Sequence, residues 1–164
     1  MKVAVVGVGY WGMNLVRVFR ELGVLAAVCD FSPVRLKAIA EAYPDIRLDS
    51  LEAILKDPSV DGIVIATPAE THYEIACKAL LAGKDVFCEK PITLHCKDAE
   101  DLIALAARQD RLLMVGHLLE YHPAITRLEQ LIEHGELGRV EYIYSNRLNL
   151  GKVRREEWIV GAKG

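Results

Sequence analysis

A doubly wound α/β fold built on a parallel sheet is predicted for this 164-residue chain by three observations. Short β-branched runs alternate with segments of helical periodicity, nearly every such run is apolar throughout, and the first one ends in a cluster of glycines. Parallel strands joined by helical crossovers are covered on both faces, so they carry continuous apolar runs where a one-sided sheet would alternate.

In order, residues 2–6 read as a strand running into glycines, and Trp11, Leu15, Val16, Phe19 and Leu22 recur at helical spacing until Gly23 stops them. Residues 25–29 form the second strand. Ser32 is an N-cap with Pro33 at the first helical position, opening a helix through Ala42 that ends before Pro44. Residues 46–48 are a short strand, 50–56 a small helix, and 60–66 a strand. A helix over 70–82 is closed by Gly83, and strand 85–88 follows. Helix 97–109, strand 112–115 and helix 124–133, closed near Gly135, come next. Residues 139–146 differ: Val140, Tyr142 and Tyr144 alternate with Glu141, Ile143 and Ser145, the pattern of a strand with two unlike faces.

Composition narrows the partners. With 52% hydrophobic residues the chain can bury a core, and at a net charge of −3 without a basic run it has no electrostatic footprint for nucleic acid or an anionic membrane. The longest apolar stretches fall short of the roughly 20 residues that span a bilayer. The amino terminus lacks the pattern of a secretory signal. A cytoplasmic protein with a small-molecule partner is expected. Cys29, Cys77, Cys88 and Cys96 show neither a C-x-x-C pair nor a metal-ligand spacing, so reduced core thiols and no metal are expected.

Gly7-Val8-Gly9-Tyr10-Trp11-Gly12 is G-x-G-x-x-G set between the first strand and the first helix. In that context Gly7 permits a tight turn, Gly9 admits a pyrophosphate close to the backbone, and Gly12 lets helix pack on strand, while the helix N-terminus faces the phosphates. A bare strand-to-helix turn is the alternative. Asp30 ends the second strand, 23 residues after Gly7, where an acid meets the adenosine ribose. Its carboxylate would accept from both ribose hydroxyls and repel a 2′-phosphate, favouring NAD over NADP; the alternative is a helix-flanking acid without a ligand. Arg35 reads as a solvated helix charge within reach of a phosphate.

Thr67-Pro68 follows the fourth strand, His72 opens the next helix, and Glu89-Lys90-Pro91 follows the fifth strand. All fall at the carboxyl ends of strands, where open α/β sheets bind ligands. By itself His72 reads as a surface or capping histidine, and Glu89 with Lys90 as an ion pair.

Taken together these motifs resemble the glucose-fructose oxidoreductase, inositol dehydrogenase and MocA family of nicotinamide-dependent sugar oxidoreductases, over residues 2 to about 157. The resemblance implies a Rossmann nucleotide domain over residues 1–123, with 124–164 the start of the family's second, α+β domain. It implies cofactor contacts from Gly7, Gly9, Tyr10, Trp11, Gly12, Asp30, Thr67, Pro68, His72, Glu89 and Lys90. In the family the E-K-P Glu helps hold the ribose, the Lys assists proton transfer at the sugar hydroxyl, and the bond before Pro is often cis. Lys90 is therefore the catalytic candidate. The segment from Gly116-His117 to Tyr121-His122-Pro123, with Arg147 to Gly151, looks most like the branch acting on nucleotide-linked amino sugars. That implies sugar contacts from Lys90, His117, Tyr121, Arg147 and Asn149, with core packing or capping the alternative for His117, Tyr121 and His122. The chemistry agrees: oxidising a secondary alcohol needs a base for the hydroxyl proton while hydride leaves. A free lysine, ionising near about pH 10.4, serves as one only where burial and positive charge favour its neutral form.

The chain departs from the family after residue 157, where the ending reads as a foreign tail, and the Asp or His that completes the family's catalytic set has no counterpart. The expectation is a chain that folds and binds cofactor without turnover, with the uncovered strand 139–146 pairing edge to edge in a homo-oligomer. A non-catalytic dinucleotide-binding or self-associating module is the other class.

Overall fold

Alternate residues of each buried strand feed two separate apolar layers, and this fixes the architecture. In the computed structural model, which describes residues 1–146, the strands are β1 (Val3–Val6), β2 (Leu25–Cys29), β3 (Arg47–Leu48), β4 (Gly62–Ile65), β5 (Asp85–Cys88) and β6 (Leu113–Val115). They form one sheet in the order β3-β2-β1-β4-β5-β6, with every neighbouring pair parallel. Val3, Val5, Val28 and Val64 pack with Val16 of helix α1 (Tyr10–Glu21) and Ile39 of α2 (Pro33–Ala42). Ala4, Val6, Ile63, Ile65 and Val86 pack instead with Ile54 of α3 (Leu51–Lys56), Leu80 of α4 (His72–Leu81) and Leu102 of α5 (Cys96–Gln109). Each fully buried Val, Ile or Leu stabilises the fold by roughly 1.5–3 kcal/mol.

The punctuation predicted from sequence is present. Ser32 Oγ accepts from the Arg35 N–H at 3.5 Å with Pro33 in the first turn, and Gly23 and Gly83 take φ of +69° and +71° just past their helices. One boundary shifts. The helix expected over 70–82 is split into a 3₁₀ turn, Ala69–Thr71, followed by α4, because Thr71 turns back on Pro68: its N–H and its hydroxyl both donate to the Pro68 carbonyl, at 3.0 and 2.8 Å.

The chain divides into two units after Glu120. In the second, helix α6 (Pro123–Glu133) is capped by His122, whose Nδ1 accepts from the Ala124 N–H at 3.2 Å, and Gly135 follows at φ +69°. Capping is thus the role the structure gives His122. The strand expected over 139–146 is not formed. Among the described residues no segment pairs with it, and Val140, Tyr142, Ile143 and Tyr144 are all exposed, so neither face of the alternation is buried. An extended segment without a ladder has nothing to hold it as a strand. The edge on which self-association was expected is therefore missing.

The connection into β4 is pinned by buried polar groups. Lys84 is buried and donates from Nζ to the carbonyls of Asp57 and Val60 at 2.6 and 2.7 Å. Asp57 accepts from the hydroxyl and the N–H of Ser59 and from Arg47, which together push its carboxyl down to about 2. Lys84→Met should lower stability by about 2 kcal/mol, since it strands two acceptors; urea denaturation checks this as a lower midpoint at unchanged slope. Because the folded state depresses the Asp57 carboxyl below its ordinary 3.8, the stability it contributes is complete above about pH 4 and lost as pH falls towards about 2. Asp57→Asn should flatten that part of the stability–pH curve, read from thermal melts between pH 2 and 5.

Candidate functional site

At β1 and β4 the strand order reverses, and the crevice outside the carboxyl ends of these strands is where such sheets bind ligands. Gly7, just after β1, takes φ +90°, and a Cβ there would lie 2.7 Å from backbone atoms of Ala66 and Thr67 after β4. A Cβ on Gly12 would overlap the Gly7 carbonyl oxygen. These two glycines are dictated by packing. Gly9 is different: a Cβ there would meet nothing within 4 Å. It is the N-cap of α1, with no side-chain cap and no acid in the first turn. An open cradle at an uncapped helix N-terminus suits an anionic group, and the residues present fit a dinucleotide pyrophosphate.

Asp30 is placed differently from the sequence expectation. Its side chain is 1% exposed. Oδ2 accepts from the Val8 N–H at 2.7 Å and Oδ1 from the Ser32 N–H at 2.8 Å. The carboxylate thus ties the glycine turn to the start of α2, whereas it was expected to accept from both ribose hydroxyls. Nor is Arg35 a free helix charge: Nη1 lies 3.6 Å from Asp30 Oδ2, and its guanidinium sits 5.8 Å from the centre of the exposed Phe31 ring.

Glu89 and Lys90 do not pair. Glu89 is 7% exposed, and its Oε1 accepts from the Trp11 indole Nε1–H at 2.6 Å. Lys90 is exposed, and none of the ion pairs among the described residues includes it. The burial that a basic lysine needs is therefore not supplied by this arrangement. The Lys90–Pro91 bond is cis.

His72 is neither a surface nor a capping residue. At 1% exposure, its Nδ1 lies 2.7 Å from the Pro91 carbonyl and its Nε2 2.9 Å from the Thr67 carbonyl. Both partners only accept, so a neutral ring donates to one and the imidazolium to both. The ring bridges the loops after β4 and β5 and leaves neither nitrogen for a ligand. The Thr67 and Thr71 hydroxyl oxygens lie 2.7 Å apart, while Pro68 and Tyr10 are exposed. His117 is exposed 3.6 Å from Glu120, and Tyr121 is exposed. Arg147 and Asn149 lie outside the described residues.

Two features escaped sequence reasoning. Gly116, after β6, would bring a Cβ to 3.0–3.3 Å from the Glu89 carboxylate. The bond from Trp11 to Glu89 spans 78 residues, and no local spacing announces either contact. The cysteines also need one correction: Cys88 is buried, with its thiol pushed up to about 12 chiefly by that burial, and Cys29 and Cys77 are half-buried, but Cys96 is exposed. A hollow of about 420 Å³ lies at the amino ends of the strands, lined by Met1, Asp61 and Lys84 among others, away from all these groups. Among the described residues no helix is long and apolar enough to cross a membrane.

Comparison with known proteins gives the family. Over 145 residues the chain is 39% identical to an inositol 2-dehydrogenase of Mycolicibacterium smegmatis, covering 85% of this chain and 42% of that one. Over 154 residues it is 32% identical to a UDP-N-acetylglucosamine 3-dehydrogenase of Acidithiobacillus ferrooxidans, covering 94% and 47%. A crystal structure of a 3-ketoreductase from Actinomadura kijaniata, in complex with TDP-benzene and NADP, superposes with a TM-score of 0.73 at 26% identity, over 82% of this chain and 42% of that one. The chain spans about 40% of the length of the curated relatives it matches. Residues 1–117 match the model of the oxidoreductase family with an NAD-binding Rossmann fold, the family of glucose-fructose oxidoreductase, inositol dehydrogenase and MocA, and the chain belongs to that family.

Proposed function

We propose that the chain carries the cofactor site of an NAD(P)-dependent oxidoreductase acting on a secondary hydroxyl of a sugar or nucleotide-linked sugar. The observation that carries this reading is the open cradle over Gly9 at the α1 N-terminus, on the same strand edge as Glu89 and Lys90. Bound NAD would accept hydride from the sugar carbon. The rest of the work belongs to the chain. Gly7 and Gly12 hold the turn so that Gly9 meets the pyrophosphate, Glu89 presents its carboxylate to a ribose hydroxyl, and Lys90 takes the proton of the sugar hydroxyl at Nζ. His72 keeps the loops bearing Thr67 and Pro91 at fixed separation. Because Lys90 is exposed, its desolvation would have to come from bound cofactor and sugar. The sugar class rests on the relatives named inositol 2-dehydrogenase and UDP-N-acetylglucosamine 3-dehydrogenase.

NAD is proposed over NADP because the Asp30 charge stands at the β2 end, although Arg35 offsets part of it. The exposure of Lys90 favours the second reading, a dinucleotide-binding module without turnover. Calorimetric titration should show NADH binding more tightly than NADPH, and equal or stronger NADPH binding would remove the argument from Asp30. In a preparation that oxidises myo-inositol or UDP-N-acetylglucosamine, Lys90→Ala should lower kcat by about 10²–10⁴-fold while NADH affinity stays within about twofold. Steady-state absorbance of NADH with parallel calorimetry reads both: unchanged turnover would remove Lys90 from the chemical step, and NADH binding without turnover on either substrate would favour the second reading.

A further inference from the structure

We propose that Trp11 is a positioning residue for Glu89, and that the glycine at 116 is required for the same reason: together they hold one buried carboxylate at the cofactor edge of the sheet. The inference rests on the cofactor reading given above. Trp11 belongs to the first turn of α1, next to the pyrophosphate cradle, while Glu89 follows β5 and Gly116 follows β6. Three elements far apart in sequence therefore meet on one side chain. The indole can only donate, so it holds Oε1 as an acceptor. Gly116 lies against the same carboxylate, whose Oε1, Cδ and Oε2 are 3.0, 3.2 and 3.3 Å from the position a Cβ would take. That separation is tighter than ordinary van der Waals contact, so any side chain at 116 pushes the carboxylate by a few tenths of an ångström. Backbone holds the corner as well: the Glu89 N–H donates to the Ile65 carbonyl at 2.9 Å, and the Gly116 N–H to the Cys88 carbonyl at 2.8 Å. With the main chain at Cys88 and Glu89 tied on both sides, what remains free is the Glu89 side chain, and the Trp11 bond restrains it.

The geometry gives the pyrophosphate turn and the ribose-facing carboxylate a shared part. A cofactor that draws α1 into place also sets Glu89, so the two halves of the dinucleotide are recognised together. An indole donor serves here better than a cation, because it orients the carboxylate without neutralising the charge that a ribose hydroxyl would meet.

A double-mutant cycle tests this, using fluorescence titration of NADH into the wild-type chain, Trp11→Phe, Glu89→Ala and the double variant, all well below their melting temperatures. Phenylalanine keeps an aromatic ring and loses the N–H. Each single change should weaken NADH binding about tenfold, and the double variant should bind no more weakly than the weaker single. Gly116→Ala should weaken binding several-fold in the wild-type background and hardly at all with Trp11→Phe. The indole N–H proton resonance assigned to Trp11 should move when Glu89 is replaced. Wild-type affinity in Trp11→Phe, or losses that simply add, would overturn the role of Trp11 while leaving the cofactor reading intact. A wild-type chain that binds no NADH would overturn the cofactor reading and this role together, even with the indole resonance still responding to Glu89→Ala.

Discussion

Everything at the carboxyl edge of this sheet depends on how closely the turn after β1 approaches the backbone after β4. With Gly7 at φ +90°, the two backbones come so close that there is no room for a Cβ against Ala66 and Thr67. Gly12 continues the constraint, because a Cβ there would overlap the Gly7 carbonyl oxygen, and only glycine lets α1 seat this close. Once these contacts are made, the position of Gly9 follows, and so does the open space above it. The cradle is a by-product of packing that only glycine permits.

Three polar side chains then fix the loops that surround the cradle through their hydrogen bonds. Asp30 holds the glycine turn through Val8, His72 bridges the loops after β4 and β5, and Trp11 joins α1 to the residue after β5. Each uses a largely buried polar group in place of an apolar contact. Such a group is costly to leave without a partner, so it penalises any loop arrangement that breaks its bond. Apolar packing would tolerate small slips of these loops. The polar ties do not, and a site that positions two ligands needs that intolerance.

The sheet was legible because its signals are local. Continuous apolar runs, Ser32-Pro33 at a helix start, and Gly23 and Gly83 at helix ends each report on a few neighbouring residues, and the structure places elements where they predict. The glycine turn was legible for the same reason. What stayed hidden was pairing. Nothing within a few residues of Asp30 shows that both its oxygens serve backbone amides, and nothing near His72 shows that it faces two carbonyls. Residues 139–146 make the converse point: the alternation is local and present, but a strand is a relation to a second strand, and the described residues contain none for it.

The separation of Glu89 from Lys90 gives the E-K-P corner its chemical sense. Were the two side chains paired, the carboxylate would favour the charged lysine and oppose any role for it as a base. Glu89 instead finds a neutral donor in Trp11, and no ion pair among the described residues holds Lys90. The exchange is asymmetric: the carboxylate becomes a buried acceptor with a partner, while Lys90 stays exposed. A fixed group suits the recognition of a cofactor hydroxyl whose place never changes. A mobile amine suits proton transfer with a substrate that must enter, react and leave. Sequence places these residues side by side, and it is the partner of the first that sets the freedom of the second.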